Sequence, residues 1–142
     1  MCRAKAFTLS EMVIVLFISG LFFSLGIGPG KRALANLNEQ MFFRDLRQLW
    51  FATFYRCIQN NTVAIIYVED DKIIFSDSAD HKTILTYPKT LHHASGVSTY
   101  IIQKTGSMRP DTEEFSSTLG KVYDMHVQLG YGMQYRLEVK NE

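Results

Sequence analysis

The stretch from Phe7 to Gly28, FTLSEMVIVLFISGLFFSLGIG, contains a single charged residue, Glu11. No other feature of the chain limits its folding as strongly. Wound as a helix rising about 1.5 Å per residue, it spans roughly 33 Å, enough for a hydrocarbon core of about 30 Å. The flank before it, MCRAKA, carries Arg3 and Lys5 and no acid. The positive-inside tendency then keeps the N-terminus cytoplasmic and exports everything after Gly30. A Sec signal or plain anchor is the simpler reading, with small residues at Ser24, Gly26 and Gly28 for a peptidase to cut beside. A carboxylate within an apolar helix speaks against it. Such a group costs about 2.5–3.5 kcal/mol on insertion scales and usually has a partner or a task, unless it lies close to the helix start, where the dipole favours an acid.

Composition narrows the classes. The chain has 142 residues, 46% hydrophobic, with 15 Lys and Arg against 14 Asp and Glu. That length suits one domain, and near-neutrality removes a strongly basic nucleic-acid binder. Two cysteines, Cys2 and Cys57, are too few for a disulfide scaffold or a four-cysteine zinc site. Cys57 reads as a buried thiol on a helix face, with a bridge to a partner subunit the lesser alternative.

The string KAFTLSEMVIVLFI resembles the processing motif of type IV prepilins and of the pseudopilins of secretion and competence systems. In that family a short basic leader ends in a small residue, followed by Phe-Thr-Leu-x-Glu and a long apolar helix. Ala6 stands where the family usually has Gly, and Ser10 where Leu is commoner. The resemblance implies cleavage between Ala6 and Phe7 by a prepilin peptidase, N-methylation of Phe7, and a subunit-assembly role for Glu11. It implies residues 1–6 as leader, 7–30 as the membrane and filament-core half of a helix, and 31–142 as the exported part. The implied partners are other pilin or pseudopilin subunits, the peptidase, an assembly ATPase and a platform membrane protein. Cleavage would remove Arg3 and Lys5 and leave the Phe7 ammonium to pair with Glu11 of a neighbour in a bundle of low dielectric.

Beyond the block, Gly26-Ile27-Gly28-Pro29-Gly30 predicts a helix break at Pro29, a kink or short melted stretch. GIGPGKR fails as a phosphate loop, because Leu25 stands five residues before Gly30 and Arg32 follows Lys31 where Ser or Thr is needed. From Lys31 to about Asn60 the helix resumes. Phe42, Leu46, Leu49, Thr53 and Cys57 lie on one face, with Leu34, Leu37 and Met41 feeding the same side and Trp50 and Phe54 widening it. Asn60-Asn61 is a natural stop.

The period then changes to two. Residues 62–68, 72–75, 83–87, 99–104, 121–129 and 134–140 read as strands, separated by turn clusters at 69–71, 77–80 and 130–132. The polar segment 106–117, with Pro110, reads as a loop. The expectation is an α+β fold: a long, partly transmembrane N-terminal helix packed on a small antiparallel β-sheet, the pilin-like architecture the resemblance also implies. The string GKVYDMHVQLGYGMQYRLEV further resembles the end of competence minor pseudopilins (ComGD-type) of Gram-positive bacteria, through Gly120, Leu129, Gly130, Gly132 and the Tyr135–Leu137 alternation.

No catalytic constellation emerges, so no enzyme and no cofactor is expected. Of the four histidines, His81, His92, His93 and His126, the adjacent His92 and His93 have no Cys, Asp or Glu at a zinc-ligand spacing and read as solvated loop residues, and the acids at 70, 71, 77 and 80 lack the calcium-loop pattern, so no metal is expected. After cleavage the Lys and Arg count falls from 15 to 13 against 14 acids. Arg44, Arg47 and Arg56 read as a solvated face, which gives no support for direct nucleic-acid binding. The function the resemblance implies is a minor pseudopilin of an envelope-spanning filament for uptake of external DNA in natural competence. The alternatives are a subunit of a secretion-type or other type IV pilus system, and a Sec-exported, membrane-anchored binding domain.

Overall fold

The computed structural model describes residues 8–77, 81–128 and 135–141, with the side chains at 25–29 and 141 left aside. One helix, α1 (Leu9–Gln59), precedes eight strands: β1 (Ala64–Val68), β2 (Lys72–Ser76), β3 (Lys82–Thr86), β4 (Leu91–His93), β5 (Ser98–Ile102), β6 (Asp111–Ser117), β7 (Lys121–Val127) and β8 (Tyr135–Asn141). The chain divides into two compact units, Met1–Leu34 and Ala35–Glu142. That boundary lies beyond the Gly30–Lys31 junction read from the sequence.

In the first unit α1 opens on a capping box. The Thr8 hydroxyl faces the Glu11 N–H at 3.4 Å, and the Glu11 carboxylate accepts the Thr8 N–H at 2.9 Å. Its large apolar side chains, among them Leu9, Val13, Leu16, Phe17, Phe22 and Phe23, are all exposed. Among the described residues no helix is long and apolar enough to cross a membrane. The apolar side chains described here begin at Leu9 and stop short of residue 25, so Phe7 and the far end of the block lie outside them. The backbone stays helical through Pro29. A melted stretch there is therefore corrected: α1 carries the loss of one N–H donor without ending.

In the second unit α1 presents Glu39, Phe42, Phe43, Leu46, Trp50, Thr53, Phe54 and Cys57 as its buried face. Leu37 and Met41, placed on that side by spacing, are half-exposed on the other, because the buried stripe is centred on 39-43-46-50. The helix ends in a Schellman motif. Asn61 takes φ 51°, Thr62 N–H donates to the Cys57 carbonyl at 3.0 Å and Asn61 N–H to that of Ile58 at 3.2 Å. The Cys57 thiol, fully buried, donates to the Thr62 carbonyl at 2.9 Å.

The strands form two four-stranded antiparallel sheets, ordered β3-β2-β1-β5 and β4-β6-β7-β8. Period-two alternation buries Ala64, Ile66 and Val68 of β1, Ile73 and Phe75 of β2, and Tyr123, Met125 and Val127 of β7. Trp50 joins both sheets, its ring 6.4 Å from Phe75, 5.7 Å from Tyr100 and 5.3 Å from Tyr135. Nearer the start of this helix segment, Phe43 packs on Phe115 and Tyr123.

This corrects the expected architecture. The molecule is richer in β-structure than a pilin-like long helix on one small sheet, and its described helix offers no membrane span. Two strands account for the difference. β4 is only three residues long, below any readable period. β6 lies in the segment read as a loop, and its acids hid an alternation in which Glu113 and Phe115 face inward. Pro110 stands just ahead of it, where a strand needs no ladder donor. The turn read at 130–132 lies outside the described residues.

Candidate functional site

Of the residues singled out from the sequence, Ala6 and Phe7 lie outside the described residues. Glu11 is exposed at the start of α1. Both bonds it receives from Thr8, N–H and Oγ1, each at 2.9 Å, end on Oε2. A carboxylate has two oxygens and about four lone-pair sites; the cap uses Oε2, and among the described residues no hydrogen bond ends on Oε1. Pro29 lies within α1.

Three buried carboxylates of the second unit escaped that reading: Glu39, Glu113 and Asp124, the last paired with Lys140 at 2.6 Å. Glu39 is fully buried. It accepts Thr90 Oγ1 at 2.6 Å and Ser117 Oγ at 2.5 Å on one oxygen, and Tyr123 OH at 2.8 Å on the other. One acid on the helix thus gathers hydroxyls from β6, β7 and the turn before β4. Burial, then the hydrogen bond and charge of Glu39, push the Tyr123 phenol well above its ordinary pKa. The sequence held a signal for this: Glu39 falls four residues before Phe43 on the stripe that continues through Leu46 and Trp50.

Glu113 is the second, also buried. Its carboxylate bonds His93 Nε2 at 2.7 Å and Tyr100 OH at 2.6 Å, joining β4, β5 and β6 across the two sheets. Burial alone raises a carboxyl pKa. Here hydrogen bonds from His93, Tyr100 and Ser98, with the His93 charge, outweigh it and hold Glu113 below its ordinary value. The Tyr100 phenol is pushed far up by burial and by Glu113. His93, read as a solvated loop residue, is corrected: its side chain has no solvent exposure, and Nδ1 has no hydrogen-bond partner among the described residues. The rings of Tyr87 and Phe115 flank it at 6.5 and 5.1 Å.

Around both acids the neighbours are donors. Ser98 joins His93 and Tyr100 as a donor to Glu113, and the described partners of Glu39 are hydroxyls. The geometry ties helix to sheet and sheet to sheet. A third cluster is partly exposed. Arg56 Nε meets Asp77 Oδ2 at 3.0 Å, and His81 Nδ1 meets Asp77 Oδ1 at 3.2 Å, holding the end of α1 to the segment after β2. Among the described residues no group of three or more His, Cys, Asp or Glu side chains is arranged to hold a metal ion.

No family model, no curated protein and no solved structure matches this chain.

Proposed function

We propose that the chain is a minor pseudopilin subunit, processed at its N-terminus and assembled into an envelope-spanning filament for uptake of external DNA. The observation that carries this reading is the coincidence, in one short string, of a small residue at Ala6, Phe7, Glu11 and an apolar run behind a basic flank. The geometry at the helix start supports it. Glu11 holds its own Thr8 through Oε2, and among the described residues Oε1 accepts no hydrogen bond, so a neighbour's Phe7 ammonium can bind there without breaking the cap. The exposed apolar side chains from Leu9 to Phe23 support it too, because such a surface needs a lipid or helical environment from outside the unit.

In this reading the subunit sits in the cell membrane as a single pass with its N-terminus cytoplasmic, then moves into a surface filament. The peptidase cuts between Ala6 and Phe7, removing Arg3 and Lys5, and the new amine is methylated. An assembly ATPase and a platform protein drive extraction, while this chain does no chemistry. Glu11 sets the stagger between subunits, since a misplaced neighbour leaves a carboxylate and an ammonium unpaired where water is scarce.

The test is the mass and N-terminal sequence of the protein expressed with and without a prepilin peptidase. The reading expects a peptidase-dependent start at Phe7 carrying one methyl group. An intact Met1 in both cases, or a start at Pro29 or beyond, sinks it. A second arm follows Glu11→Val into filaments, where incorporation equal to wild type removes the assembly role of Glu11.

A further inference from the structure

β5 is an edge strand: β1 pairs it on one side, and no strand lies on the other among the described residues. Just past its end, the Gln103 N–H bonds not to β1 but to the Ser107 carbonyl, at 2.9 Å. Backbone groups along a strand point alternately to its two sides, so Thr99 and Ile101, of the same parity as Gln103, turn their N–H and C=O groups to that outer side. Among the described residues no backbone group outside the β1 ladder bonds to either. Beside this edge lies a groove of about 460 Å³ lined by Thr99, Ile101, Gln103, Ser107, Met108 and Arg109.

Its far wall is held in place. Met108 is buried, and Gly106, at φ +80°, lies so close to α1 that a Cβ there would meet the Phe54 ring at 2.9 Å. The near wall is sticky, with Ile101 half-exposed. A β-branched edge with unpaired backbone groups invites another strand. Charge decides what kind. Among the described residues Arg109 has no acid within ion-pair distance, and Asp111, two residues on, turns its carboxylate to the Thr112 N–H at 2.9 Å.

We propose that the free edge of β5 is a docking groove for an extended acidic peptide segment, which adds as a strand beside Thr99 and Ile101 and sets a carboxylate on Arg109. Main-chain bonds supply affinity, Ile101 selects an apolar side chain at alternate positions, and the guanidinium selects the acid through a charged, two-pronged hydrogen bond. The carboxylate can belong to an Asp or Glu side chain or to a chain terminus. The inference does not depend on how the N-terminus is processed.

The full chain, held in lipid nanodiscs, is titrated against fluorescent nonapeptides of alternating Thr and Val. One carries a central Asp with an amidated end, one a central Asn with a free C-terminal carboxylate, and a control has neither acid. Saturable binding of either acidic probe at least about tenfold tighter than the control is expected, the factor one charged contact supplies. Which acidic probe wins identifies the source of the carboxylate. Arg109→Glu should erase that tenfold preference and move binding of the control less than about twofold, since the change is on an exposed side chain. An acidic probe carrying Pro at alternate positions should lose binding, because it cannot complete the ladder. Equal binding of all three probes, no saturable binding of any, or an unchanged acid preference in Arg109→Glu overturns the proposal. An unaltered far-ultraviolet circular dichroism spectrum of the variant confirms that the groove, and not the fold, was changed.

Discussion

From Leu9 to Phe23 the helix turns its large apolar side chains outward, with Phe23 76% exposed. From Phe42 to Cys57 the same residue classes are shut away, with Leu46 and Cys57 at 0%. Helical periodicity separates the two segments. The first is apolar nearly all round and has no polar face to give to water, so no single partner face within the chain can cover it. The second is amphipathic, with Arg44, Arg47 and Gln48 outward and one stripe for the sheets to cover. Burial is worth about 1.5–3 kcal/mol per large apolar side chain, so the second segment stabilises its own unit while the first leaves that free energy to be gained from outside. A helix can thus be finished by its own chain in one stretch and by its surroundings in another.

The sharpest way to break this comparison is to remove one aromatic from each segment. Trp50→Ala should cost about 3–5 kcal/mol in denaturant unfolding of the second unit, because its indole touches Phe75, Tyr100 and Tyr135. Phe22→Ala should change the same transition by less than about 0.5 kcal/mol. Equal costs would mean that the first segment is packed after all. Next comes Glu39→Ala, which leaves the hydroxyls of Thr90, Ser117 and Tyr123 without their acceptor. A loss of about 3 kcal/mol is expected, and a smaller one for Glu39→Gln, which keeps one acceptor oxygen.

Acid should sharpen the contrast further. Glu113 has its pKa lowered on folding, so its stabilising contribution is fully present above the unfolded value near 4.5 and is lost as pH falls through the folded value. Stability of the second unit, followed by tryptophan fluorescence of Trp50, should therefore decline below about pH 4.5. Glu113→Gln should start lower and fall less steeply over that window, and an unchanged slope would show that Glu113 does not carry the acid limb. The smallest effect is at the first turn. Thr8→Ala removes the cap and should cost about 1 kcal/mol of local helix stability, read as faster amide exchange between Leu9 and Met12 with the second unit unmoved.

Particular residues show what the sequence could carry. The stripe through Phe42, Leu46, Thr53 and Cys57 and the stop at Asn60-Asn61 were legible, because each is a local regularity of spacing or of turn chemistry. So were the strands around 64–68, 72–76 and 121–127, whose β-branched and aromatic residues alternate with period two. β6 was not. Its inward Glu113 looks like a solvent residue until His93, twenty positions back, and Tyr100 are known to face it, and no local pattern announces a partner on another strand. Glu39 hid the same way: its place on the stripe was readable, its three hydroxyl partners were not. Leu37 and Met41 show the converse error, since spacing alone places a residue within one helical step and the packed centre decides which side it takes. At Glu11 the Thr-x-x-Glu spacing that forms the cap was present in the string, overshadowed by the position of the acid inside an apolar block.

Hydrogen exchange read by mass spectrometry, on the full chain in lipid nanodiscs and on the same chain as a monomer in lipid-free buffer, tests the central contrast most directly. Amides between Phe42 and Cys57 are expected to stay protected in both media, while those between Met12 and Phe23 become protected only with lipid. Protection of Met12 to Phe23 in the lipid-free monomer, or its absence in lipid, would contradict the claim that this segment is completed from outside its own chain.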